Sequence, residues 1–285
     1  EILIGLVGSE MCIRDRYIGG VNWMYTKSID RLGIHRMKMS DGPQGLGTNG
    51  KSTAYPSTVT LAATWNENLA YQYGKALGRD CRARNVNVIL GPAVNIYRAP
   101  MCGRNFEYMG EDPYLTSRIC VGYIKGVQDQ GVMATVKHFV ANNSDYDRNN
   151  ISNDIDERTL NEIYFPAYKA AIQEAEVGAV MTSYNLMNGI YTTENPWLLK
   201  EVLRNQWGFK GLVMSDWGST HYCVPAAKGG LDLEMAGGEK MNPKDMAYYL
   251  KTGDVTMDMV DEKVRHILRI LLSLIHISEP TRPIS

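Results

Sequence analysis

Several things are scarce in this 285-residue chain. It has five cysteines and four phenylalanines. No two cysteines form a C-x-x-C pair, so a thiolate metal cluster is not expected. Cys81, Cys102, Cys120 and Cys223 read as buried free thiols, which leave the redox compartment open. Neither charge sign is in excess: 30 Lys+Arg against 31 Asp+Glu give a net charge of −1. That balance excludes a polyanion-binding surface, which needs concentrated Lys and Arg, so no nucleic-acid partner is expected. No apolar run approaches the ~20 residues of a helical membrane span. There is no initiating Met and no visible signal peptide, so the cellular address cannot be read.

Two stretches do not read as evolved protein. "LVGSEMCIRDR" (Leu6 to Arg16) and "LSLIHISEPTR" (Leu272 to Arg282) translate back to DNA stretches that are reverse complements of each other. They resemble the adapter of transposon-based sequencing libraries, read in opposite orientations. Residues 1–16 and 272–285 are therefore set aside as adapter-derived, leaving one expected domain over residues 17–271, truncated at its N-terminus. That length is typical of one α/β barrel.

Within it, short apolar runs recur and end in polar residues: 36–43, 85–95, 132–139, 178–185, 211–218 and 230–237. Helical patterns separate most of them, notably 66–84, 156–176 and 195–208. Leu160, Ile163, Tyr164 and Ala167 follow the i, i+3, i+4, i+7 spacing of one buried helix face. Asn195 and Pro196 form a cap and first-turn pair. Such alternation with near-continuous apolar strands predicts a parallel sheet covered by helices. The visible runs, with about two weak or missing, predict an α/β fold of (β/α)8 TIM-like barrel type; a doubly wound sheet is the alternative. In a barrel the strand C-terminal ends converge, gathering Asp41, Lys137, His138, Tyr184, Asp216 and Glu234 at one mouth.

One motif misleads. "GLGTNGKS" (Gly45 to Ser52) matches the P-loop pattern. However, "DGPQ" separates it from its strand, and Pro56 would disrupt a helix starting at Lys51-Ser52. A glycine-rich turn bordering a pocket is the preferred reading, with a P-loop nucleotide-binding protein as an alternative. A Schiff-base lyase using Lys137 is another, and a sugar-binding module without turnover a third.

The strings "SDGPQGL", "LGPAVNI", "GRNFEYMGEDPYL", "VKHFVANN", "MTSYN", "GLVMSDW" and "GLDLEM", in that order, resemble glycoside hydrolase family 3. The resemblance is to the N-terminal barrel of its β-glucosidase-like members and spans about residues 20–270. It implies a retaining β-glycosidase, with a β-glucosidase favoured, that hydrolyses terminal β-D-glycosides through a covalent glycosyl-Asp216 intermediate. Trp217 would wall the sugar site and Asp41 would accept bonds from two hydroxyls. Arg104, Lys137 and His138 would donate to further hydroxyls, and two nearby cations would keep Asp216 ionised. Tyr184 would bond or orient the nucleophile, with Met181 lining the same wall. Glu107, Glu111, Asp112 and Glu234 are read as scaffold, and an Arg104 ion pair with Glu107 or Glu111 is the structural alternative for that residue. No metal or organic cofactor is implied. The family often carries an Arg near Gly47, so one contact differs here. A retaining enzyme also needs a second carboxyl acid. In this branch that Glu comes from a C-terminal α/β sandwich domain, which this chain is expected to lack. The expected partners are a carbohydrate substrate and that missing domain. Without the acid the chain is expected to be poorly active, since general acid catalysis contributes roughly 10²–10⁴-fold. Family members are often periplasmic or secreted.

Overall fold

The computed structural model describes residues 17–47 and 50–278. Its strands in chain order are β1 (Met39–Asp41), β2 (Val88–Leu90), β3 (Met133–Phe139), β4 (Ser152–Asn153), β5 (Ala179–Thr182), β6 (Leu186–Met187), β7 (Ile190–Tyr191) and β8 (Leu212–Met214). One parallel sheet runs β1-β2-β3-β5-β8, and β4, β6 and β7 form a small separate sheet. The barrel strands are apolar along most of their length because helices cover one face and the lumen packs the other.

The sheet closes through segments that carry single bridges. Leu233 N–H donates to Val213 O at 3.1 Å and Ser215 N–H to Leu233 O at 3.0 Å, so residues 231–234 extend the sheet beyond β8. Their other edge meets residues 18–20, where Glu234 N–H donates to Ile18 O and Gly20 N–H to Glu234 O, both at 2.9 Å. Residues 24–26 run antiparallel to the chain leading into β1, with Met39 N–H donating to Met24 O at 2.8 Å and Thr26 N–H to Met37 O at 3.1 Å. Val21 and Tyr25 exchange backbone bonds at 2.8 and 3.1 Å, and the ring is complete. The two staves not visible in the sequence are thus 18–20 and 24–26. The second departs from strand–helix alternation because the three residues that join it to the first cannot hold the crossover helix that a parallel return requires.

The expected helices are present. Glu67–Ala83 is capped by Asn66, whose side chain accepts from Leu69 N–H. The pattern at 195–208 forms a helix, Trp197–Gln206, with the Asn195 side chain accepting from Leu198 N–H at 3.1 Å. The 156–176 helix is less regular than its pattern suggests. Glu157–Thr159 leads into a wide turn over Leu160–Tyr164 and then Pro166–Gln173. Pro166 has no N–H to offer, and Phe165 N–H reaches back five residues to Leu160 O at 2.8 Å. The expected face is buried at Leu160, Tyr164 and Ala167. Behind β3, the Phe139 ring meets Phe165, Tyr168 and Trp207 at centroid distances of 6.0, 5.0 and 5.9 Å, anchoring the strand that carries Lys137 and His138.

The P-loop reading fails here. Thr48 and Asn49 lie outside the described residues, but no helix starts at Lys51-Ser52, and the next begins at Thr58 behind a Ser57 cap. Ser52 Oγ instead donates to Leu46 O at 2.9 Å, closing a turn. Residues 1–16 and 279–285 also lie outside the described residues; the last helix, Met257–Ser278, runs past Leu271.

Helices Glu67–Ala83 and Pro113–Gln128 approach closely at Gly126, where a Cβ would stand 2.1 Å from Tyr71 O. Alanine gains about 1 kcal/mol of helix propensity over glycine. Overpacking against fixed backbone costs about 1–3 kcal/mol or more. Gly126→Ala is therefore expected to lower the unfolding free energy in urea titrations; a neutral or stabilising outcome would contradict this packing.

Candidate active site

The strand ends do converge. Asp41 ends β1, Leu90 ends β2, Lys137 and His138 lie near the end of β3, and Met181 lies near the end of β5. Tyr184 follows β5 by two residues and Asp216 follows β8 by two. Together with Trp23, Met24, Arg104, Arg148 and Trp217, all of these except His138 line one cavity of about 230 Å³. That is below the ~300–1,000 Å³ of drug-sized pockets and suits one small polar ring. His138 is buried behind the wall at 0% exposure.

Adjacent residues in a strand point to opposite faces, so Lys137 and His138 should not share a site. A bulge resolves this. Val136 pairs with Val180 and Phe139 with Thr182, so Lys137 and His138 together oppose Met181 alone. Both side chains then reach the same group of charges.

Those charges form a connected set. Lys137 Nζ lies 3.0 Å from Asp41 Oδ1 and 3.7 Å from Glu107 Oε2. Arg104 Nε lies 2.5 Å from Glu107 Oε1, its Nη2 2.7 Å from His138 Nε2, and its Nη1 3.7 Å from Asp216 Oδ2. Glu107 is thus the scaffold expected of it, holding both cations, and Arg104 faces Asp216 while keeping its ion pair. The Asp41 carboxylate remains half-exposed and open to a ligand. Asp112 caps helix Pro113–Gln128 and Glu234 accepts from Lys240 and Met241 N–H, both scaffold roles.

Burial, partner charge and hydrogen bonds set the protonation states. Partial burial opposes ionisation of Asp41, but the Lys137 charge and hydrogen bond outweigh it and hold its pKa below the ordinary value. Burial would strip the proton from Lys137, yet Glu107 and Asp41 reverse this and raise its pKa. An amine held as a cation between two carboxylates is a poor nucleophile, which argues against the Schiff-base reading. His138 is driven well below its ordinary pKa by burial and then by Arg104, Lys137 and Arg148, so it is neutral.

Two expectations need correction. The two cations do not by themselves hold the Asp216 carboxyl at its ordinary pKa, which is raised because burial outweighs Arg104, Lys137, the Trp217 N–H and the Tyr184 hydroxyl. His138 does not present a free donor, since Nε2 is taken up by Arg104. The Tyr184 hydroxyl donates to Trp217 O at 3.0 Å and also interacts with the Asp216 carboxyl, whose pKa it lowers. Met181 is buried against the cavity as expected. Trp217 lines it too, with its indole N–H donating to Trp23 O at 2.8 Å. Gly47, where the family often has an Arg, donates its N–H to Asp41 O at 2.8 Å and so shapes the turn beside that carboxylate. Sequence reasoning missed Trp23 and Arg148. Arg148 lies in a loop, is paired with Asp145 at 2.6 Å, and stacks 4.3 Å over Tyr184. Nothing in "SDYDRNN" marks it apart from its charge.

A barrel mouth that gathers a buried carboxylate, three cations and aromatic walls around one small polar cavity defines an α/β barrel protein with a candidate ligand site. The chain belongs to glycosyl hydrolase family 3: the model of that family's N-terminal domain matches residues 19–270. A β-glucosidase of Rhizobium radiobacter is 45% identical over 260 residues, covering 89% of this chain and 32% of that protein. Thermostable β-glucosidase B of Acetivibrio thermocellus is 42% identical over 264 residues, covering 88% of this chain and 35% of its own. The structure of β-glucosidase 3B from Thermotoga neapolitana in complex with α-D-glucose superposes with a TM-score of 0.92 at 35% identity, over 99% of this chain and 44% of that one. The β-glucosidase from Kluyveromyces marxianus in complex with glucose gives a TM-score of 0.94 at 33% identity, over 97% and 34%. The chain thus spans about a third of the length of these curated relatives.

A carboxyl whose folded pKa is raised costs stability once it ionises, so the cost is absent in acid and present above the ordinary carboxylate range. Asp216→Asn removes it. The variant is expected to melt at a higher temperature than the wild type at pH 7, with the gain shrinking as pH falls through the raised pKa of Asp216 and gone below about 4. A lower melting temperature at pH 7 would mean that the cations outweigh burial.

Proposed function

We propose that this chain is the nucleophile-bearing domain of a retaining β-glycosidase, specifically a β-glucosidase acting on terminal non-reducing β-D-glycosides. The observation that carries the reading is Asp216 Oδ2, an oxygen that is buried and accepts no hydrogen bond, 3.7 Å from the Arg104 guanidinium on the wall of a ring-sized cavity. Its fellow oxygen, Oδ1, is fixed by Trp217 N–H at 2.7 Å. A carboxylate held by one oxygen with the other bare is poised to attack an anomeric carbon.

The remaining roles follow from the same geometry. Asp41 and Lys137 bind adjacent hydroxyls as an acceptor–donor pair. Arg104 and Arg148 donate from other sides, and Trp217, with Trp23 beside it, covers an apolar face of the sugar. His138 acts through Arg104, and Tyr184 through the Trp217 peptide. Glucose-bound relatives of similar fold support a glucoside. The reaction then runs by double displacement, with Asp216 forming and releasing a glycosyl ester.

The leaving oxygen must be protonated by a second carboxyl. Asp41 and Glu107 are committed to Lys137 and Arg104. We propose that the acid is a Glu of a further domain, a reading supported by relatives about three times as long as the matched region. We also propose that residues 1–16 and 272–285 are adapter-derived; the family match begins and ends close to those boundaries.

The test avoids the need for the acid. A 2-deoxy-2-fluoro-β-glucoside with a dinitrophenolate leaving group is expected to label the chain once, at Asp216, as located by peptide mapping. Asp216→Ala is expected to take up none. Labelling at another residue, with Asp216 unmodified, would overturn the assignment.

A further inference from the structure

The two ring nitrogens of His138 face different partners. Nε2 lies 2.7 Å from Arg104 Nη2 and 3.5 Å from Asp216 Oδ2. Nδ1 lies 3.4 Å from Asn95 Oδ1. A guanidinium has donors only, so Nε2 must accept, and the ring proton belongs on Nδ1. The orientation of Asn95 is fixed independently. Its Oδ1 accepts from His138 N–H at 2.8 Å, and its Nδ2 donates to His138 O at 3.0 Å. A flipped amide would set donor against donor and acceptor against acceptor, so an acceptor always faces Nδ1. Asn95 itself is buried.

We propose that Asn95 is a positioning residue that holds His138 as its neutral Nδ1–H tautomer and thereby keeps Asp216 Oδ2 bare for attack. The proposal rests on the reading of Asp216 as nucleophile. In the other tautomer Nε2–H would point at Asp216 Oδ2, and its proton would compete for the electron pair that must reach the anomeric carbon. It would also oppose the Arg104 donor. The groups around His138 are Arg104, Asp216, Lys137, Arg148, the Tyr108 ring at 6.2 Å and the Tyr168 hydroxyl, which donates to His138 O at 2.7 Å. The cations among them fix the charge of the ring; Arg104 at Nε2 and the Asn95 acceptor at Nδ1 together favour the proton on Nδ1.

Two variants and two readouts test this on the ¹⁵N-labelled chain. Ring ¹⁵N shifts report the tautomer, and labelling by the fluoroglucoside reports the maximal rate and half-saturation concentration separately. Wild type is expected to show Nδ1–H. Asn95→Leu leaves Nδ1–H without an acceptor and should populate the Nε2–H tautomer against the opposing Arg104 donor. Its maximal labelling rate should fall about tenfold to hundredfold, as expected when a hydrogen bond is made to the attacking charge, with half-saturation within about twofold. Asn95→Asp keeps an acceptor at Nδ1, and Tyr168 still serves His138 O. This variant should label normally at high pH and gain an acid limb as the added carboxylate draws a second proton onto the ring. A proton remaining on Nδ1 in Asn95→Leu, or a shift to Nε2 with unchanged labelling, would overturn the proposal. If Asn95→Leu does not fold, a pH profile of Asn95→Asp that matches wild type overturns it equally. Failure of the wild type to label at Asp216, with the tautomer responding to Asn95 as described, would reject the nucleophile reading and leave the tautomer control standing.

Discussion

Lys137 holds its charge where water reaches only 2% of its surface. An isolated ammonium there would lose its proton, because burial favours the neutral form. Glu107 and Asp41 prevent this, and Glu107 also holds Arg104. Two cations are thereby fixed around Asp216 with little freedom to reorganise. Such preorganisation lets a site stabilise charge as it develops, without moving groups at the moment of reaction. The barrel serves this network: it brings charges from distant parts of the chain to one mouth and shields them from solvent.

The same network explains why Asp216 is finely balanced. Burial resists its ionisation, and the cations, the Trp217 N–H and the Tyr184 hydroxyl favour it. A carboxylate that ionises among fixed groups, with one oxygen bare, is more reactive than one solvated by water. The neutral His138 fits this arrangement, since it orients Arg104 without adding a third full charge beside Lys137. The bulge in β3 makes it possible by giving two consecutive residues one destination.

Much of this was legible in the chain. Apolar runs ending in polar residues located six barrel staves, because burial on both faces of a parallel strand leaves a contiguous signature. The strand ends identified Asp41, Lys137, His138, Tyr184 and Asp216, since barrel geometry sends such ends to one mouth. The staves at 18–20 and 24–26 were not legible, being short and held by isolated backbone bridges. The wide turn before Pro166 was missed because side-chain periodicity records which face is buried, not how the backbone bonds are spaced.

By itself the sequence determined the barrel, the family and which polar side chains end the strands, because these follow from local patterning and from which residue types end each strand. Tertiary structure alone decided what those groups do to one another. It turned His138 from an expected donor into a neutral acceptor, tied the Tyr184 hydroxyl to the Trp217 carbonyl, brought Arg148 into the cavity, and raised the pKa of Asp216. Each of these depends on burial and on distances between residues far apart in the chain. No linear pattern carries those quantities; they arise only when the folded backbone places charge beside charge away from water.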